Sequence, residues 1–150
     1  MTAYQAPLTD MLFNMYEISG MSGIAQLPGC EGTTPDLVAA ILEEAGKFST
    51  EVLGPLNIIG DQQGSKLENG VVRTPDGFKD AYQQFVDGGW NGITFDPKFG
   101  GQGLPCLISA AVSEMVQSAN MAFGLCPMLT QGAVELLTEH GSKKLKATYL

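Results

Sequence analysis

At 150 residues, 15.9 kDa and a net charge of −8, the chain has the size of one domain and lacks the basic surface that nucleic acid demands. No apolar run reaches the ~18 residues of a membrane span, and the opening MTAYQAPLTD shows no secretory signal, so the cytoplasm is the default location. Charged residues make up only 16%, against about 25% in a typical domain, so part of the surface is expected to be covered by another domain or subunit.

Residues 4 to 18 read as a short helix, capped by Thr9 or Asp10 and docking through Leu12, Phe13 and Tyr16. The glycine-rich residues 19 to 33 read as loop. Thr34-Pro35-Asp36 is a strong helix start: a capping hydroxyl, proline at the first helical position and an acid at the positive end of the dipole. This helix is expected to reach Leu53 and stop before Gly54-Pro55. Leu37, Val38, Ile41, Leu42, Ala45, Phe48 and Val52 form its buried stripe. Glu43 and Glu44 lie on its other side and read as solvated rather than catalytic, because adjacent helical residues point about 100° apart.

Asn69-Gly70, between Leu67 and Val71-Val72, signals a small hairpin. Thr74-Pro75-Asp76 repeats the helix start. A helix to about Val86 would turn Phe78, Tyr82, Phe85 and Val86 inward and end at Gly88-Gly89. From Gly88 to Pro105 glycines and prolines alternate with Trp90, Ile93, Phe95 and Phe99, which describes a compact loop packed on a core. Leu104 to about Ala119 reads as a central helix, with Leu107, Ile108, Ala111, Val112, Met115, Val116 and Ala119 as a wide apolar stripe.

Beyond Asn120, Gly124 interrupts the pattern and Pro127 is suited to open a new helix that runs to His140-Gly141. Ser142 then caps a last turn carrying Lys143, Lys144 and Lys146, a short solvated face. His140 is the sole histidine, and its place at a helix C-terminus favours a dipole contact over general-base chemistry. Cys30, Cys106 and Cys126 have no metal-ligand spacing and read as reduced thiols, two of them buried. No metal site is expected.

Three ordered motifs resemble one family. The run Gly89-Trp90-x-Gly92-Ile93, Pro97, Gly100-Gly101-Gln102-Gly103-Leu104-Pro105 is similar to the connector in the N-terminal helical domain of acyl-CoA dehydrogenases. The opening Tyr4-x-Ala6-Pro7-x-x-Asp10-Met11-x-Phe13 resembles the N-terminal extension of a bacterial branch. That branch includes the longer acyl-CoA dehydrogenases and the enzymes acting on methylmercaptopropionyl-CoA. Phe123-Gly124, Met128 and Thr130, followed by His140-Gly141-Ser142, Lys146 and Tyr149-Leu150, resemble the helix lining the acyl chain and the short helix after it.

The resemblance implies an all-α fold, an orthogonal up-and-down helix bundle with a small hairpin excursion. Residues 1–33 would be an N-terminal extension and 34–150 the helical domain. It implies Phe123, Leu125, Met128, Leu129, Thr130 and Ala133 as substrate-binding candidates, suited to a hydrocarbon tail and with Met128 foremost. In the complete enzyme it implies FAD, oxidation of acyl-CoA to the 2,3-enoyl-CoA, electron-transfer flavoprotein as partner and homo-oligomers. The family's catalytic glutamate, flavin-binding β-domain and later helical domain have no counterpart here. No catalytic or cofactor-binding residue is therefore assigned, and the 150 residues are expected to be an inactive fragment without bound FAD. The alternatives are a free-standing helical module that binds acyl-CoA or a partner, and a fragment of an acyl-CoA oxidase.

Overall fold

The computed structural model describes residues 4–150 and is all-α apart from one two-stranded hairpin. The elements in order are α1 (Leu8–Phe13), α2 (Met21–Ile24), α3 (Pro35–Phe48), α4 (Gly54–Gln63), β1 (Lys66–Glu68), β2 (Val71–Arg73), α5 (Phe78–Asp87), α6 (Cys106–Ala119), α7 (Met121–His140) and α8 (Lys143–Tyr149). Helix α6 is central and packs against α3 and α7. Its expected stripe is buried, with Leu107 half-covered.

Helix α1 starts at Pro7 rather than at a side-chain cap; Thr9 and Asp10 lie inside its first turn. It docks through Met11 and, after a π turn over Asn14–Ile18, through Met15; Leu12 and Tyr16 pack beside them and Phe13 points to solvent. Unbranched methionine fits the irregular surface of α3 better than the aromatic ring does. The following loop contains α2, which a buried Met21 anchors.

Thr34 caps α3 as expected, accepting from the Leu37 amide at 3.3 Å. Val38, Leu42 and Ala45 are buried, whereas Leu37 sits at the solvent edge. Glu43 and Glu44 share Lys47 on the exposed side, which leaves them no catalytic geometry. The expected stop before Gly54-Pro55 does not occur. A π turn over Ser49–Leu53 carries the chain straight into α4, with the Gly54 amide donating to the Ser49 carbonyl. Proline at the start of α4 needs no amide partner, so the widened turn accommodates it.

The hairpin forms at Asn69-Gly70, both with positive φ, in the register Lys66↔Arg73, Leu67↔Val72 and Glu68↔Val71. Thr74-Pro75-Asp76 does not start α5. The Asp76 amide donates to Gln63 Oε1 at 2.8 Å and Gln63 Nε2 donates to Asp76 Oδ2 at 3.0 Å. Asp76 is thus held by the end of α4, and α5 begins at Phe78 after Gly77. Ala81 and Phe85 form its buried face, Phe78 and Tyr82 are half-buried, and Val86 is exposed.

The loop from Gly88 to Pro105 is pinned by its own backbone. Gln102 donates to the Gly92 carbonyl at 2.8 Å, Gly103 to Phe95 at 2.9 Å and Leu104 to Ile93 at 2.8 Å. Two 3-10 turns, Trp90–Gly92 and Pro97–Phe99, complete it, and Ile93 is buried beneath. A Cβ at Gly101 would lie 2.1 Å from the Phe95 carbonyl oxygen, so no other residue fits this crossing.

Candidate functional site

Helix α7 is one continuous helix, with Pro127 inside it rather than at a new start. Its true start is Asn120, whose extended backbone (φ −159°, ψ 89°) separates α6 from α7. Asn120 Oδ1 accepts from the Phe123 amide at 3.0 Å, and Nδ2 donates to the Leu53 carbonyl at 3.3 Å. One buried amide therefore caps α7 and ties it to the end of the π turn. The sequence carries a signal for it, since Asn is among the best N-caps, but Pro127 is the louder one.

The candidate binding residues do not share a face. Phe123 points into the core and meets four rings, with centroids 5.7 Å from Phe85, 6.4 Å from Phe78, 6.4 Å from Tyr82 and 6.5 Å from Phe48. Leu125, Met128 and Leu129 fall on the opposite side with Met121 and Leu136, at exposures from 47% to 72%. Five large apolar side chains along one helix face are far more than scattered surface hydrophobics. Residues 121–134 of α7 carry no charged side chain. Thr130 and Ala133 are exposed as well. Met128 also borders a hollow of about 20 Å³ between α6, α7 and the loop, with Trp90, Ile93, Val112 and Pro127.

The opposite flank of α7 borders a larger cleft, of about 530 Å³, between the end of α4, the hairpin base and α5. Phe78, Tyr82 and Phe123 form its floor, and Lys79 and Cys126 lie among its lining residues. The half-buried thiol is Cys30; Cys106 and Cys126 are exposed, the first at the start of α6 and the second on this concave wall. At the far end of α7 the Lys146 ammonium donates to the Thr138 carbonyl, so a lysine occupies the helix C-terminus beside the exposed His140. Among the described residues no three acidic, histidine or cysteine side chains gather as a metal site, and no helix is long and apolar enough to cross a membrane.

Residues 39–150 match the family described as "Acyl-CoA dehydrogenase, N-terminal domain". The chain belongs to this family. It is 45% identical over 147 residues to 3-methylmercaptopropionyl-CoA dehydrogenase of Ruegeria pomeroyi, covering 98% of this chain and 25% of that protein. A butyryl-CoA dehydrogenase of Syntrophomonas wolfei is 30% identical over 118 residues, covering 77% and 19% of the two chains. A broad-specificity linear acyl-CoA dehydrogenase of Mycobacterium tuberculosis is 22% identical over 124 residues, covering 81% and 20%. The chain thus spans a quarter or less of the length of these acyl-CoA dehydrogenases.

Proposed function

We propose that this domain is the N-terminal part of a flavin-dependent dehydrogenase that oxidises an acyl-CoA to the 2,3-enoyl-CoA. In this reading the exposed face of α7 is one wall of the slot for the acyl tail. The observation that carries it is the row Leu125, Met128 and Leu129 on an uncharged stretch of helix left open to solvent. Hydrocarbon on such a wall is held by burial, at roughly 0.8 kcal/mol per methylene. The wall supplies position and water exclusion, not proton transfer.

The residues described here do not fit a flavin dinucleotide. The α7 face offers hydrocarbon without donors for a pyrophosphate, and the sole arginine, Arg73, stands on the hairpin. FAD, the glutamate that removes the α-proton, electron-transfer flavoprotein and the oligomer contacts belong, in this proposal, to parts of the enzyme outside these residues. The 45% identity to the Ruegeria protein favours a short methylthio-acyl or similar tail over a long one.

The test is Met128→Trp in the complete enzyme, assayed over a series of acyl-CoA chain lengths. The larger ring should fill the slot and move the kcat/KM optimum to shorter chains, by roughly tenfold for each 1.4 kcal/mol of lost tail burial. An unchanged chain-length profile would remove α7 from the slot.

A further inference from the structure

The large cleft lies beside the acyl-binding face, and Leu125, Met128 and Leu129 do not line it. Its floor is aromatic, formed by Phe78, Tyr82 and Phe123, with Pro75 and Ala122 as apolar walls. Its volume of about 530 Å³ falls within the range of small-molecule sites, about 300–1,000 Å³. Of the eight basic residues of this acidic chain, one stands in its wall. Lys79 lines the cleft directly. Lys66 and Arg73 face each other across the hairpin, next to Ser65 and Thr74 of the lining.

Among the described residues the ion pairs involve Lys47 and Lys98, and none involves Lys66, Arg73 or Lys79. Among the described residues Lys79 is the one charged side chain that lines the cleft; the acids nearby in the chain, Asp61, Glu68, Asp76 and Asp80, are not among its lining residues, and Asp76 is engaged by Gln63. A cation without an ion-pair partner in the wall of an aromatic cleft complements one kind of ligand: an apolar body ending in a negative charge.

We propose that this cleft is a second binding site, for a small amphipathic organic anion such as a medium-chain carboxylate. The hydrocarbon lies on Phe78, Tyr82 and Phe123, and the carboxylate reaches the Lys79 ammonium. Binding involves no covalent step. The site is independent of the acyl wall, and either can fail without the other.

Cys126 on the cleft wall reports occupancy, and the exposed Cys106 outside it is an internal control. The full chain is alkylated with N-ethylmaleimide in the presence of decanoate or decanol, and each thiol is followed by peptide mass spectrometry. Decanoate at ten times its half-saturating concentration should slow Cys126 labelling roughly tenfold and leave Cys106 unchanged. Decanol, with the same body and no charge, should protect less. Lys79→Met should raise the half-saturating decanoate concentration roughly two- to fivefold, the scale of a partly exposed ion pair, without affecting decanol. Equal protection by the two ligands, equal protection of the two thiols, or a Cys126 that never labels because another part of the protein fills the cleft would each overturn the proposal.

Discussion

Changing Asn120 to Asp probes the joint between the central helices with a near-isosteric substitution. Asn120 is 1% exposed, and its two contacts are made by different atoms: Oδ1 caps α7 and Nδ2 donates to the Leu53 carbonyl. Aspartate keeps the cap but puts an oxygen where the donor was. Ionised, that oxygen faces a carbonyl in a site closed to water; protonated, its hydroxyl donates and restores the bond. Burial and the carbonyl raise the folded-state pKa above the ~3.9 of the unfolded chain, while the α7 dipole offsets about 0.3–1 kcal/mol of this. The lost bond and the buried charge together predict a penalty of roughly 2–4 kcal/mol at pH 7. With the folded pKa raised, the carboxyl's contribution is fully present below about pH 4 and is lost as pH rises through the folded value. Urea unfolding of both proteins at low and neutral pH gives the difference at each, so the native protein's own acid sensitivity cancels. Asn120→Ala, which loses both contacts, should show a pH-independent penalty. An Asp penalty that is the same at both pH values would refute this account of the joint.

Gly101→Ala places a Cβ against the Phe95 carbonyl. It should cost roughly 1–3 kcal/mol and lower Tm by about 2–4 °C for each of them, whereas Gly132→Ala, with open space around it, should not destabilise. Equal melting of the two variants would mean the loop is looser than its hydrogen bonds indicate. Burial raises the pKa of Tyr4 and of Tyr16, with smaller contributions from Glu114 and Asp36 respectively. The stability tied to these phenols is present below about pH 10 and is lost as pH rises through the folded values. Tyrosinate absorbance should accordingly show a late-titrating fraction that urea abolishes; coincident native and unfolded titrations would count against it. Neither buried hydroxyl has a hydrogen-bond partner, so Tyr4→Phe should leave stability unchanged or raise it.

Most of the helical core was legible because its signals are local. Thr34-Pro35-Asp36, Asn69-Gly70 and Ser142 act within a turn, and the stripes of α3 and α6 follow one period. The misreadings arise where a distant partner changes a local preference. Thr74-Pro75-Asp76 has the same chemistry as Thr34-Pro35-Asp36, yet Gln63 captures Asp76 and delays the helix to Phe78. Gly54-Pro55 would end an isolated helix, but a π turn carries the chain past it. The candidate site was legible as a stretch and not as a face. The residue types announce a hydrocarbon-rich helix, but which of them turn outward depends on where α7 begins, and Asn120 decides that.

Pro127 shows what that dependence means for function. Inside α7 it has no amide to offer the Phe123 carbonyl and crowds the preceding turn, a cost of about 3 kcal/mol in a helix interior. Pro127→Ala removes two buried methylenes, worth roughly 0.8 kcal/mol each, and regains the helical bond. The variant should therefore be more stable by roughly 1–2 kcal/mol, raising Tm by about 2–4 °C per kcal/mol. Pro127 stands between the Phe123 aromatic cluster and Met128, and it lines the hollow with Trp90. Regaining the helical bond at that turn would shift Leu125 and Met128 relative to that cluster, so under the proposed function the complete enzyme should lose kcat/KM while its domain gains stability. That opposition is the mark of a residue retained for the shape of a site. A lower Tm in Pro127→Ala would instead mean that tertiary packing bends α7 there and that the proline only fits a bend already made.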